Sequence, residues 1–326
     1  MKNKLVIILI CIFFSVCAMP ILPQLVYAAQ VIKLAHENPP GGQIDQTFQL
    51  FAKTVGERTN GRYEVKVFPG GQLGDERAIL EGVKVGTLDA GAGGLSAAID
   101  PLFNLIYLPF LFRDVDHMHK VLDGPIGAEL KNRALQRGYK IMGMYDGGFH
   151  HFLNNAHPIY GPDDLKGIKI RVMGVPPYID GIKAYGANPV SIPYGELYTA
   201  LQQGVIDAAE QNLDSINRMK FYEVVKYVSL AAWAGAVDVM FLSEKLWNSL
   251  SPDDQKVFEE AGKASVDFQR KLFKEGVDAG LGVILKAGVK VNLVYQPAFY
   301  KQAETVYKKY EKDVPLSLIE RIRAVK

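Results

Sequence analysis

Cysteine is nearly missing from this chain of 326 residues: the two present, Cys11 and Cys17, both fall within the first 28. Beyond that point the chain can form no disulfide framework and has no thiol for catalysis or for a Cys-ligated metal. An excess of one charge is missing too. There are 37 Lys and Arg against 35 Asp and Glu, which argues against a broad basic surface for nucleic acid. No acidic or basic tail is present. No apolar run after the N-terminus is long enough to span a bilayer. The Gly-x-Ser-x-Gly elbow, the His-Glu-x-x-His zinc pair and the Gly-Lys-Ser/Thr phosphate loop are all absent. Gly91-Ala92-Gly93-Gly94 lacks the spaced third glycine of a dinucleotide loop and reads as a close-packed turn. Six histidines form no helical pair. His150 and His151 are neighbours that a strand would send to opposite faces, and His117 and His119 fall in a surface loop or helix start. No metal and no cofactor are expected.

What is present at the N-terminus is a secretory leader. Lys2 and Lys4 precede an apolar run from Leu5 to Met19, broken by Pro20 and Pro23, and Val26-Tyr27-Ala28 offers small residues where a signal peptidase reads. Cleavage after Ala28 is expected. Removing Lys2 and Lys4 leaves 35 bases against 35 acids. The mature protein is expected to be soluble outside the cytoplasmic membrane and not membrane-spanning.

The remaining length suits about two domains. Val31–His36 reads as a strand, Phe48, Phe51, Ala52 and Val55 as a helix face, and Tyr63–Phe68 as a strand ended by Pro69-Gly70-Gly71. Asp75 starts a helix carrying Ile79, Leu80 and Val83, closed by Gly86. Alternating β and α predicts an α/β fold with largely parallel sheets. The octet Val83 to Ala90 (VKVGTLDA) reads like Leu201 to Ala208 (LQQGVIDA): helix, Gly, one residue, aliphatic, Asp, Ala. Two lobes of similar construction would explain the match. Ile168–Val172 and Pro189–Ile192 read as strands around a helix that follows Pro176-Pro177. Tyr227–Leu242 is long, apolar and β-prone, enough to run between lobes. Ser251-Pro252 starts a long helix to about Lys286. A chain that builds one lobe, then another, then crosses back permits hinge closure around a cleft.

Arg171 is the sharpest single residue, a guanidinium inside the aliphatic strand Ile168-Lys169-Ile170-Arg171-Val172. Such a fork grips a carboxylate through two hydrogen bonds. An arginine on an exposed or edge strand is the competing reading of the same pattern.

Several blocks resemble the DctP-type solute-binding proteins of TRAP (tripartite ATP-independent periplasmic) transporters. They are Gln72–Arg77, Gly148–Asn155 running on through Pro158-Ile159, Asp164–Val172, and Glu196–Asp207. The likeness covers nearly the whole mature chain. It implies a two-lobed α/β periplasmic binding protein of Venus-flytrap form, with crossing hinge strands and a long helix spanning both lobes. The lobes would be 29–148 plus about 236–275, and 149–235 plus about 276–300, with a C-terminal helical segment over 301–326. It also implies capture of a small organic anion for the small and large permease subunits, and no enzymatic step. A monomer is expected.

The resemblance further implies that Arg171 holds the ligand carboxylate. Where many members carry a second arginine, this chain has His150, whose charge depends on pH. One fixed positive charge would favour a monoanion. Gln211 stands where an Asn is usual, and Asn212 follows as a second amide, which resembles the branch that binds sugar acids. Trp233 is expected as a cleft wall, Glu37 and Asp238 as hydroxyl acceptors, and Tyr194 on the floor. The ligand expected is a hydroxylated monocarboxylate such as a uronate or aldonate. A small sulfonate or a dicarboxylate is the alternative, and a periplasmic sugar-acid enzyme or sensor ectodomain the reading from another class.

Overall fold

The computed structural model describes residues 28–326. The leader expected over residues 1–28 lies, apart from Ala28, outside the described residues, Cys11 and Cys17 with it. The chain forms two sheets. The first contains β1 (Gln30–His36), β2 (Tyr63–Phe68), β3 (Ala90–Gly93), β4 (Tyr139–Phe149) and β10 (Gly235–Ser243), in the order β2-β1-β3-β10-β4. The second contains β5 (His151–Asn154), β6 (Lys169–Val172), β7 (Asn188–Ser191), β8 (Ala208–Gln211), β9 (Tyr227–Leu230) and β11 (Lys290–Leu293), in the order β11-β9-β5-β8-β6-β7.

Both sheets are mixed, not largely parallel as expected. β10 is antiparallel to β3 and β4, and β5 is antiparallel to β8 and β9. The reason is topological. β4 runs almost directly into β5 and carries the chain from the first sheet to the second. β9 and β10 carry it back, so two strands crossing side by side in opposite directions must pair antiparallel. Backbone bonds tie the crossings together: the His150 amide donates to the Ala234 carbonyl at 3.0 Å, and the Trp233 amide to the His150 carbonyl at 3.1 Å. Gly148 sits at the bend with φ +68°, and a Cβ there would meet the Phe273 ring at 2.6 Å. Only glycine fits.

Gly91-Ala92-Gly93 is a strand, not a turn: it forms β3, buried throughout. A Cβ at Gly91 would strike Ile79 and Phe241, so its small residues reflect close helix–sheet packing. The repeated octet does the same work in both sheets. Helix α2 (Glu76–Val85) ends at Gly86, φ +82°, and the Asp89 carboxylate accepts the Lys33 amide of β1 at 2.9 Å. In the second sheet the helix Leu197–Gln202 precedes Gly204, φ +68°, and the Asp207 carboxylate accepts the Lys169 amide of β6 at 2.9 Å. Each aspartate satisfies a backbone donor of the parallel neighbour strand just before the paired residues.

Beyond β3 and β4 come α1 (Gln43–Arg58), α3 (Val115–Asp123) and α4 (Pro125–Gln136) around the first sheet, with His117 and His119 at the start of α3. The second lobe adds α5 (Pro176–Ala184), α6 (the Leu197–Gln202 helix) and α7 (Leu213–Arg218), and α8 (Glu244–Ser249) follows β10. The 35-residue helix α9 (Pro252–Lys286) starts at Ser251, whose hydroxyl accepts the Asp254 amide. It packs on α1 and β4 of one lobe and on α7 of the other. Glycines set the distance: a Cβ at Gly262 would meet the Met142 carbonyl oxygen at 2.6 Å, and one at Gly276 would collide with the Asp214 carboxylate. The C-terminal α10 (Pro297–Tyr310) and α11 (Leu316–Ala324) pass from one lobe to the other. The Tyr310 hydroxyl donates to Asp180 of α5, the Tyr307 hydroxyl to the Pro109 carbonyl at 2.6 Å, and the Arg113 guanidinium to the Arg323 and Val325 carbonyls. Among the described residues, no helix is long and apolar enough to cross a membrane.

Replacing a helical glycine by alanine ordinarily gains about 1 kcal/mol. The sign should differ within α9. Gly282 has open space at its Cβ position and Gly276 has the Asp214 carboxylate. Gly282→Ala is expected to raise the melting temperature. Gly276→Ala is expected to lower it, with about 1–3 kcal/mol of overpacking strain outweighing the propensity gain. Thermal denaturation of the two variants checks this.

Candidate functional site

A cavity of about 290 Å³ opens where the crossing strands pass between the sheets, and both lobes line it. Seven of the eight expected residues are there: Arg171, His150, Gln211, Asn212, Glu37, Tyr194 and Asp238. The lining comes from strand ends and the residues that follow them, where binding sites of open α/β sheets form.

Arg171 lies on β6, which is flanked by β8 and β7, so it is neither an edge nor an exposed residue. Its side chain is 4% exposed. The Nε–H donates to the Ile192 carbonyl at 3.0 Å, which fixes the plane of the guanidinium. Nη1 is buried and has no hydrogen-bond acceptor among the described residues. A buried guanidinium N–H without an acceptor is costly, and an incoming anion is the partner its chemistry suits.

Behind Arg171 lies Glu210, fully buried on β8. One of its oxygens accepts the Met173 amide at 3.0 Å and stands 3.8 Å from Arg171 Nη1. The other is bonded to His150 Nδ1. A single carboxylate therefore lies against both side chains of this wall. With Nδ1–H held on Glu210, the other ring nitrogen of His150 accepts a hydrogen bond in the neutral ring and donates one in the protonated ring. His151 points elsewhere, as alternation requires. Its Nδ1 accepts the amide of Ala232, itself at φ +45° in the returning crossing. Burial pushes the His151 imidazole down to about 3.

The opposite wall is acidic. Glu37 follows β1, Glu76 opens α2 and Asp238 lies on β10. Burial pushes the carboxyls of all three up, with charge from neighbouring carboxylates adding to the shift. The Gly94 amide donates to Glu76 Oε1 at 3.1 Å. Tyr194 closes the floor, its phenol pushed up to about 12 by burial, so it stays a donor.

Three expectations need correction. Trp233 does not form a wall of the cleft. It is fully buried in the core beside the hinge, stacked on Phe152 at 6.0 Å and packed on Tyr178 at 4.7 Å. Burying so large an apolar surface outweighs any ligand contact it would make. Asn212 lines the cleft, but both ends of its amide carry structure: Oδ1 caps α7 by accepting the Ser215 amide, and Nδ2 donates to the Gly147 carbonyl, both at 2.7 Å. Arg171 is not the only arginine, since Arg77 also lines the opening, exposed on α2. Glu76, Arg77, Met173 and Ser191 were not anticipated as lining residues. The signal for the first two was their place beside the Asp75 helix cap, because the first turn of a helix pointing at a cleft presents its side chains there.

The profile of the bacterial extracellular solute-binding proteins, family 7 (DctP), matches residues 34–313. The chain belongs to this family of TRAP periplasmic solute-binding proteins. Its members are binders, not enzymes. The chain is 34% identical over 266 residues to the 2,3-diketo-L-gulonate-binding periplasmic protein YiaO of Escherichia coli K12, covering 81% of each. It is similar to a crystal structure of a TRAP solute-binding protein from Sulfitobacter sp. NAS-14.1 with bound β-D-galacturonate, at TM-score 0.86 and 31% identity over 90% of this chain and 99% of that one. A Polaromonas sp. JS666 protein bound to D-erythronate aligns with TM-score 0.87 and 32% identity, over 91% and 99%. The two-sheet architecture joined by α9 is that of these proteins.

The depressed His151 carries a pH consequence. A base whose folded value lies below its unfolded value of about 6.5 binds protons mainly when unfolded, so its contribution to stability falls as pH drops from about 6.5 toward 3. The stability advantage of the wild type over His151→Gln is therefore expected to shrink between pH 7 and 4.5, by about 2–3 kcal/mol. Paired melting curves across that range check it, and a constant difference would contradict it.

Proposed function

We propose that the cleft captures a hydroxylated monocarboxylate, such as a uronate or aldonate, and that the protein delivers it to the small and large permease subunits of a TRAP transporter. The observation that carries this reading is the buried Nη1 of Arg171, which has no acceptor among the described residues on a guanidinium held in plane by Ile192. The ligand carboxylate pairs with that guanidinium, the His150 ring offers a polar nitrogen, and Gln211 offers an amide. Hydroxyls on the rest of the ligand meet Glu37 and Asp238 on the other lobe, and Tyr194 lies beneath. The sugar acids bound by the Sulfitobacter and Polaromonas proteins support this class, as does the diketogulonate in the name of the YiaO relative.

Recognition works by closure and breaks no bond. The lobes proposed to close are 29–148 with about 236–275, and 149–235 with about 276–300, with 301–326 as the strap behind them. A ligand gripping both walls favours the closed arrangement only by its differential affinity for it. Export through a leader cleaved after Ala28, and action as a monomer, complete the proposal.

Arg171→Ala is expected to weaken binding of such an acid by about 3–5 kcal/mol, the scale for stranding one charge of a buried pair. At tenfold per 1.4 kcal/mol, that is a loss of about two to three and a half orders of magnitude. Calorimetric titration with D-galacturonate and D-erythronate measures it, after a thermal-shift screen over organic acids, sugar acids and sulfonates. Unchanged affinity in the variant would remove Arg171 as the anchor. A screen in which only amino acids or neutral sugars shift the melting curve would remove the anionic ligand.

A further inference from the structure

The two walls of the cleft differ in charge. Arg171 and His150 face it from the second lobe, while Glu37, Asp75, Glu76 and Asp238 face it from the first, with exposed Arg77 the one base among them. Glu76 and Asp238 converge on the glycine pair that ends β3. A Cβ at Gly93 would meet the Glu76 carboxyl at 2.8 Å, and one at Gly94 would meet Asp238 Oδ1 at 3.2 Å. The missing side chains are what allow two acids from different elements to share this space. The Gly94 amide gives Glu76 one donor, and no cation pairs with either acid within 4 Å among the described residues, whose ion pairs lie elsewhere. Across the cleft, buried Arg171 Nη1 supplies the independent sign that an acceptor-bearing ligand belongs between the walls.

We propose that Glu76, acting with Asp238, is a specificity-determining residue that admits an uncharged, hydroxyl-bearing end of the ligand and rejects a second carboxylate. This rests on the reading that Arg171 anchors the first carboxylate, and adds to it what the far end must be. Both acids line the same cleft wall, and ionising both there sets two like charges in one buried space. Burial and the Asp238 charge push Glu76 up, and burial and Glu37 push Asp238 up against the opposing effect of His150. A carboxyl–carboxylate pair offers one donor and several acceptors, which matches hydroxyl groups. A ligand carboxylate placed there would meet repulsion from Glu37, Glu76 and Asp238 together. Discrimination by an introduced repulsion is a general route to specificity.

The test uses matched acids that differ at one end: D-gluconate with D-glucarate, D-erythronate with meso-tartrate, and D-galacturonate with galactarate. Titration calorimetry at pH 7.5 is expected to show the wild type preferring the monoanion at least tenfold in each pair it binds. Glu76→Gln should reduce that preference at least fivefold, chiefly by tightening the dianion, and Asp238→Asn should do the same. Melting curves show whether each variant is folded, and the wild-type ratio needs no variant. A wild-type preference under tenfold overturns the inference. So does a ratio unchanged in both folded variants. Either result leaves the Arg171 anchor standing, whereas a wild type that binds no member of any pair overturns the monocarboxylate reading and this inference with it.

Discussion

One buried carboxylate organises the binding wall. Glu210 has no contact with solvent, yet it touches the Met173 amide, His150 Nδ1 and the approach to Arg171 Nη1. A charge so placed is tolerable only because donors surround it. Those donors are in turn held where a ligand anion can meet them. Remove the carboxylate and the His150 ring loses its buried partner, while Arg171 loses the acidic group beside its Nη1. The sheet supplies the geometry: β8 lies between β5 and β6, so a residue on β8 reaches His150 at the end of one neighbour and Arg171 on the other. The antiparallel crossing next to β5 brings His150 to the hinge itself.

That placement ties recognition to movement. His150 donates and accepts through its backbone at the crossing while its ring faces the cleft. Gly148 and Ala232 stand beside it in left-handed conformations. On the proposed reading, the same few residues bend the chain and read the ligand. α9 and the C-terminal helices restrain the lobes on other sides: α9 through Gly262 and Gly276, and the strap through Tyr307, Tyr310 and Arg113. Gln43 of α1 also donates to Asp214 of α7 at 2.9 Å across the lobes. Closure is guided by several tethers rather than one flexible link.

Much of this was legible in the sequence because it is local. Asp75, Gly86, Ser251 and Pro252 mark helix ends through caps and backbone conformations that depend on a few neighbours. The octet repeated at Val83 and Leu201 predicted a shared construction, and its aspartates turn out to serve the same bond in each sheet. Strand direction was not legible, because it depends on where the chain returns and not on any residue along β10. The β3 glycines were misread as a turn for a related reason: they are small because Ile79, Phe241 and Glu76 approach them from afar in sequence. In the site, Arg171 stood out as a charge among aliphatics. Trp233 misled because a tryptophan near a hinge serves the core as readily as a ligand, and only the surrounding Phe152 and Tyr178 decide. Glu76 was hidden because an acid in the first turn of a helix is ordinary, and nothing local says that Asp238 waits opposite.

The charge balance acquires meaning only once the fold is known. Equal numbers of acids and bases after residue 28 mean that no broad field draws an anion in. Locally the balance splits into a wall with Arg171 on one lobe and an acidic wall on the other. Either wall alone would be a poor site: Arg171 and His150 would bind any small anion, and the acids would bind none. On the proposed reading, closure joins them, and together they ask for one anionic end and one hydroxyl-bearing end at a fixed separation. A ligand lacking either end gains from one wall only, and so does little to favour the closed state. Specificity then resides in the requirement that both walls be satisfied at once, which only a two-lobed architecture with short crossings can impose.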